Sequence, residues 1–383
     1  MQKKSVFICI FILLILSACS LSQKERQNGG NTNFENSGDT EINTEGTEIK
    51  RAPSGIITPT ITPVYVTINS HAESSITINT KQKYLQYRND LLERLQLIQS
   101  YNAKLNWESD YSVLLAMQEY ETSDLYANTN NKNILTYMIE DLDFSVDPHL
   151  HPSDYNYADL AYLIEQLGVH PSGVIGGLIV FECVHGEPQP LDWHDTLELE
   201  SDGYVHGKKY PSYKWKPEIL SGAGSSGHVY DELSSGMWYA GNEESFYDDQ
   251  GEGIVLFGQG YDRDATLIEE SKGETLYYED GGYIKELVGK IKSGELPAGK
   301  MYTANLHVQD TAEIGKSGVG TNDALQQVLE ELKPYADAGY IKYVTYQEGV
   351  DIWKDQYDSV PNKVDITSFT QYENIKAQED SHC

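Results

Sequence analysis

The chain has 383 residues, and 59 Asp+Glu against 28 Lys+Arg leave a formal net charge of −31. So acidic a surface excludes nucleic acid as the expected partner, since phosphates select basic patches, and excludes polybasic adhesion to anionic lipid. With only 4 cysteines, no disulfide framework is expected to hold the fold.

Lys3 and Lys4 precede an apolar run from Val6 to Leu16, which ends in Leu16-Ser17-Ala18-Cys19. A positive start, a short apolar core and small residues before a cysteine form the pattern of a bacterial lipoprotein signal peptide. The core is too short for a permanent membrane span. Residues 1–18 are expected to be removed and Cys19 to carry lipid. That places the protein at the cell membrane, lipid-anchored on its extracytoplasmic side. Cys9 leaves with the signal, so Cys183 and Cys383 are the thiols left to pair.

Residues 19–80 read as the lipidated cysteine and a disordered tether. From Gln23 to Lys50 the chain is mostly Asn, Glu, Gly, Thr and Ser, then becomes Pro- and Thr-rich through Pro53, Pro59 and Pro63. Too little apolar area is present to offset the entropy of ordering. The short run Val64–Ile68 reads as an isolated strand within it. Residues 81–383 read as a single globular domain.

Apolar spacing predicts a helix over 84–101, with Leu85, Leu91, Leu92, Leu95 and Ile98 on one face. Further helices are predicted over 111–120, 133–142 and 157–167, the last stopped by Gly168. Strands are expected at 104–107, 144–146 and 174–181. Residues 183–252 are rich in Gly, Tyr, Trp and His and read as a long aromatic- and Gly-rich insertion. A stretch of that length needs internal structure or a function. Beyond it come strand 254–257, helix 283–293, strand 302–308, helix 323–338 and strand 341–345. The alternation favours a parallel α/β architecture, and its spread favours a barrel over an open sheet.

Asp147-Pro148-His149-Leu150-His151 follows directly on the strand at 144–146, at the carboxyl end where parallel α/β folds place their sites. Residues i and i+2 of an extended chain point the same way, so His149 and His151 could offer two imidazoles to one cation. Trp107-Glu108-Ser109-Asp110 ends an earlier strand and opens a helix. There Asp110 is a carboxylate ligand with Glu108 as base, or the reverse, or Asp110 is simply the helix N-cap. Asn305-Leu306-His307 ends a later strand, which makes His307 a candidate general acid. Within the insertion, Trp215, His228, Trp238 and Tyr239 are candidates to line a sugar groove. Core packing explains a single Trp equally well.

Together these motifs resemble the polysaccharide deacetylase-like proteins of the glycoside hydrolase/deacetylase superfamily. Glu108-Ser109-Asp110 falls where that family has its first acidic motif, and Asp147-Pro148-His149-Leu150-His151 where it has its metal histidines. Leu306-His307 resembles its late leucine-x-histidine motif, and Ala338–Glu348 its closing helix, glycine and strand. The resemblance covers residues 102–353. It departs from the family in three places. The usual first motif is two adjacent aspartates, the histidines usually stand several residues apart, and Lys216-Pro217 is the nearest match to an arginine–proline motif. The resemblance implies an irregular (β/α)7-type barrel and a divalent metal, zinc above all, held by Asp110, His149 and His151. It also implies Glu108 as base and His307 as acid.

The expected protein is therefore a surface-anchored, metal-dependent hydrolase that removes acyl groups, acetyl above all, from extracellular or cell-envelope glycan. A catalytically inactive glycan-binding or scaffold protein on the same barrel is the alternative. A metal-dependent glycosidase or phosphoesterase is a third reading.

Overall fold

The computed structural model describes residues 62–73, 78–151, 153–184, 187–190, 192–221, 224–225, 234–242, 245–260, 281–308, 322–365 and 369. Residues 1–61, on which the expected signal peptide, Cys19 and most of the expected tether fall, and His228 and Cys383 lie outside the described residues.

In chain order the first elements are β1 (Val64–Ala72), α1 (Lys81–Ser100), β2 (Leu105–Ser109), α2 (Tyr111–Tyr120), α3 (Ile134–Glu140), β3 (Ser145–Pro148) and α4 (Tyr157–Gln166). There follow β4 (Val174–Ile175), β5 (Ile179–Val184), β6 (Glu187–Pro190), the short α5 (Trp193–Leu197), β7 (Val205–His206) and β8 (Lys214–Trp215). Next come β9 (Ile219–Ser221), β10 (Gly224–Ser225), β11 (Ser234–Tyr239), β12 (Val255–Gln259) and α6 (Gly282–Ser293). Last are β13 (Tyr302–His307), α7 (Asn322–Asp337), β14 (Ile341–Tyr343), α8 (Tyr346–Gln356) and β15 (Asn362–Asp365). Most helices start where a cap is available: Thr80, Asp110, Asn133, Asn156 and Thr345 each accept a bond from a backbone N–H of the first turn.

β1 is the centre of a parallel sheet. Val64, Val66, Thr67 and Ile68 are β-branched and suit a pleated strand. Every residue of β1 except His71 is buried, as befits a strand covered on both faces. β13 pairs along one side of it, from Val64 opposite Tyr302 to Asn69 opposite His307. On the other side Val64–Val66 pair with β14 and Ile68–Ala72 with β2, and β3 adds to β2.

A second sheet runs β15–β11–β12–β9–β4. Tyr65 of β1 packs with Val174, Ile219, Met237, Val255 and Phe257 of this sheet, so the two share an interior. They meet at two seams. At one, His149 bridges to Gly176, and Gly176 N donates to Pro148 O at 3.1 Å. At the other, Ser235 Oγ donates to Thr303 O and Gly236 N donates to Thr303 Oγ1 at 2.6 Å. This second seam is made by side chains, not by a strand ladder. The expected α/β class with a parallel central sheet is present, and among the described residues the strands do not close into a barrel.

The domain boundary also moves. Val64–Ile68 is not an isolated strand in a tether, because β1 has a hydrogen-bonded neighbour on each side. The folded domain thus includes β1, well before residue 81. The insertion at 183–252 supplies β9 and β11, two strands of the second sheet.

Candidate metal centre

Because β1, β2, β3 and β13 run parallel, their carboxyl ends lie along one edge. Register sets His71 opposite Glu108, Glu108 opposite Asp147, and Asn69 opposite His307. Just past the strands come Glu73, Asp110, His149 and His151.

Three ligand atoms converge there. Glu73 Oε1 lies 3.5 Å from His149 Nε2 and 3.7 Å from His151 Nε2, and the two imidazole nitrogens are 3.4 Å apart. A tetrahedral zinc with bonds of about 2.0–2.1 Å holds its ligand atoms about 3.3 Å apart. Glu73, His149 and His151 are thus spaced so that they could hold a divalent ion. Two imidazoles and one carboxylate suit an ion that accepts N and O ligands.

Glu108 stands behind His149. Its side chain is wholly buried, and Oε2 lies 3.2 Å from His149 Nδ1 and 3.2 Å from His71 Nε2. A carboxylate on Nδ1 fixes the ring and leaves Nε2 facing the ion. Burial opposes a charge on Glu108, but His71 and the bond from His149 outweigh it and hold its pKa at about 2. Burial likewise opposes a charge on His149, but its bonds to Glu108 and Glu73 raise its pKa to about 9. Glu73, against its own burial, is held well below the usual carboxylate range by His149 and His151. The acceptors that favour a proton on His149 are the ones that would favour a cation beside it.

β4 closes on this pair without side chains. A Cβ on Gly176 would stand 1.9 Å from Glu108 Oε2, and one on Gly177, whose φ is +73°, would stand 2.7 Å from His149 Nε2. Tyr157 OH donates to Gly176 O at 2.7 Å and holds the approach.

Asp110 does not join the triad. Its Oδ1 caps α2, accepting from Ser112 N at 2.9 Å and Ser112 Oγ at 2.7 Å. Its Oδ2 is buried without a hydrogen-bond partner among the described residues, and burial raises its pKa. With Glu73, Tyr111, His149 and His151 it lines a cavity of about 70 Å³. Glu73, and not Asp110, stands with His149 and His151 in the group whose atoms could hold a metal ion. Glu108 and Asp110, the two carboxylates weighed as base, each keep one oxygen without a hydrogen-bond partner among the described residues, Oε1 and Oδ2, but of the two only Asp110 lines this cavity. His307 reaches the cluster from β13. Its Nδ1 lies 3.2 Å from Asn69 Oδ1 and its ring 4.4 Å from that of His71, but it contributes no ligand atom to the triad.

The aromatic candidates are elsewhere. Trp215 and Trp238 are 6% and 1% exposed and pack with Leu220, Ile254 and Leu256. Trp238 Nε1 donates to Phe246 O at 3.0 Å, and Tyr239 packs on Trp353 with ring centroids 5.2 Å apart. Trp215 and Trp238 are therefore packing residues and do not wall an open groove, a correction that follows from the large apolar area of their rings, while Tyr239 is half-buried. His228 lies outside the described residues. His71 and Glu73 are the site residues that the sequence reading passed over. Their signal was the His-x-Glu spacing directly after Val64–Ile68.

No family model and no curated protein sequence matches the chain. Among solved structures, the chain is similar to a 4-alpha-glucanotransferase from Thermococcus litoralis at 11% identity and a TM-score of 0.39, covering 78% of this chain and 39% of that one. The chain thus spans about two fifths of the length of the glucanotransferase. It is similar to a candidate glycoside hydrolase/deacetylase from Parabacteroides distasonis at 14% identity and a TM-score of 0.45, over 78% of this chain and 73% of that one. A GH57-type branching enzyme from Pyrococcus horikoshii aligns at 14% identity and a TM-score of 0.38, over 75% and 70%. Likeness at this level assigns no activity to the chain.

Proposed function

We propose that the chain is a metal-dependent hydrolase of carbohydrate, held outside the cytoplasm by lipid on Cys19, that removes acyl groups, acetyl first among them. What supports the reading is the spacing of Glu73, His149 and His151, 3.4–3.7 Å between ligand atoms, beside a cavity bordered by the unpartnered Asp110. A divalent ion bound by these three, zinc by the donor set, would polarise an acyl oxygen and acidify water. Asp110, made more basic by burial, takes the proton of the attacking water at Oδ2. Glu108 keeps His149 in one ring orientation. His307, bonded through Nδ1 to Asn69, gives a proton to the departing nitrogen or oxygen.

The test is metal content by mass spectrometry for the wild type and a His149→Ala/His151→Ala double variant, with acetate release from an acetylated oligosaccharide as second readout. The expected result is near-stoichiometric zinc and acetate release in the wild type, both lost in the variant. Failure to take up stoichiometric zinc, cobalt, nickel or manganese after loading would overturn the metallohydrolase reading.

A further inference from the structure

Beside the triad lies a second cavity of about 220 Å³, which shares Leu150, His151 and Ser153 with the first. Tyr155 lines the second and Tyr111 the first, and their rings stack 4.6 Å apart at 9°. One aromatic pair therefore connects the two spaces. Leu178 and Leu197 add apolar surface, while Glu198 and Lys208 form a polar corner.

Glu198 is the unusual member. It follows α5 with φ +60°, the left-handed conformation that glycine or asparagine normally supplies at a helix end. Its carboxylate accepts from Asn156 Nδ2 at 3.1 Å and pairs with Lys208 Nζ. The Lys208 backbone is held from behind. Wholly buried Asp159 of α4 accepts from Lys208 N at 3.1 Å and from Lys209 N at 2.9 Å. A Cβ on Gly207 would stand 2.7 Å from Asp159 Oδ1, so this turn closes tightly on α4. Buried Asn156 and Asp159 thus hold the Glu198 carboxylate and the Lys208 backbone, while the paired side chains are themselves 39% and 45% exposed and open to a ligand.

We infer that this cavity is a subsite for one neutral pyranose ring, whose hydroxyls are read by Glu198 and Lys208. The inference rests on the proposed hydrolase, because His151 forms the border, and it adds the chemical class of the group beside the acyl linkage. The volume falls below the roughly 300–1,000 Å³ of pockets that take drug-sized ligands, which suits one ring and not several. A carboxylate accepts from hydroxyls and an ammonium donates to them. Because Glu198 and Lys208 neutralise each other, the corner favours hydroxyls over an ion. Tyr155 and Leu178, both lining the cavity, would offer apolar surface to the C–H side of such a ring.

Glu198→Gly separates binding from folding, since glycine suits the backbone conformation while the carboxylate is lost. The full-length chain is titrated with N-acetylglucosamine, followed by saturation-transfer NMR, with and without zinc. Wild type is expected to bind the sugar. Glu198→Gly, and Thr196→Trp at the exposed mouth of the cavity, are each expected to weaken binding about tenfold or more. Zinc affinity stays unchanged in both, and the melting temperature of Glu198→Gly is not lowered. Wild-type sugar affinity in Glu198→Gly would overturn the inference and leave Glu198 as a strained helix cap. If the wild type takes up zinc but binds none of N-acetylglucosamine, N-acetylgalactosamine, glucose and mannose, the subsite is overturned while the metal centre stands. Sugar binding without zinc uptake would instead sink the hydrolase reading and keep the subsite.

Discussion

Two buried glutamates, Glu121 and Glu108, show how this fold treats structure and chemistry differently. The Glu121 side chain is 1% exposed, just past α2. Its Oε2 accepts from Arg88 Nε at 2.8 Å and Tyr84 OH at 2.5 Å, and its Oε1 from Ile134 N at 2.9 Å. Arg88 also donates to Thr129 Oγ1 at 3.2 Å, so both halves of the ion pair are served. Glu108 is equally buried, but its Oε2 is shared between two imidazoles and its Oε1 has no partner among the described residues. A satisfied buried charge ties α1, α2 and α3 together. An under-satisfied one beside titratable rings is the pattern of a candidate functional site.

The sharpest way to break this contrast is Arg88→Ala. It leaves the Glu121 carboxylate buried without its cation, which should cost about 3–5 kcal/mol of stability. Zinc affinity of the folded fraction should not change. Chemical denaturation followed by circular dichroism measures the first, and calorimetric titration the second. A loss under about 1 kcal/mol would show that Glu121 is not the structural anchor described here.

How much of this was legible beforehand varies by element. α4 was plain, since Asn156 caps it, Asp159 completes the capping box and Gly168 at φ +91° follows its end. The i, i+2 rule brings out His149 and His151, and applied to His71 and Glu73 it reaches Glu73, the third member of that candidate group. Val64–Ile68 follows a Pro- and Thr-rich stretch, and a strand that gains all its stability from distant partners has little local signature. β9 is 3 residues long and β11 is 6, too short for periodicity to stand out among glycines and tyrosines. Which of Glu108 and Asp110 would act as base stays open in the sequence. Both sit at one strand end, and only hydrogen bonding in three dimensions shows which oxygen is engaged.

Glu108→Gln sharpens the comparison from the other side. Losing charge-assisted bonds to His149 should cost the metal-free protein about 1–3 kcal/mol near pH 6, less than Arg88→Ala. Zinc affinity should fall roughly 10–100-fold. The pH dependence carries a sign. His149, raised from 6.5 to about 9, contributes stability present below 6.5 and lost as pH rises toward 9. Glu108, lowered from 4.5 to about 2, contributes stability present above 4.5 and lost as pH falls toward 2. Denaturation midpoints of the metal-free wild type should therefore decline on both sides of that window, and the decline should flatten in Glu108→Gln. A variant that keeps wild-type zinc affinity and both declines would place Glu108 with Glu121 as a structural residue.

The smallest effect on stability is expected at Asp110, where the two kinds of role share one side chain. Oδ1 caps α2 and Oδ2 faces the cavity unpartnered among the described residues. Asparagine caps helices about as well as aspartate, so Asp110→Asn should change stability by less than about 0.5 kcal/mol. It keeps an oxygen for Ser112 but cannot take a proton from water, so acetate release should fall about 10²–10⁴-fold. Zinc affinity should hold, because Asp110 is outside the triad. Acetate release, melting temperature and zinc titration on one preparation separate the cases. Unchanged release would leave Asp110 as a cap alone and return the base role to Glu108. Lost zinc would make Asp110 a fourth ligand, and its raised pKa would then reflect a carboxylate buried in wait for a cation.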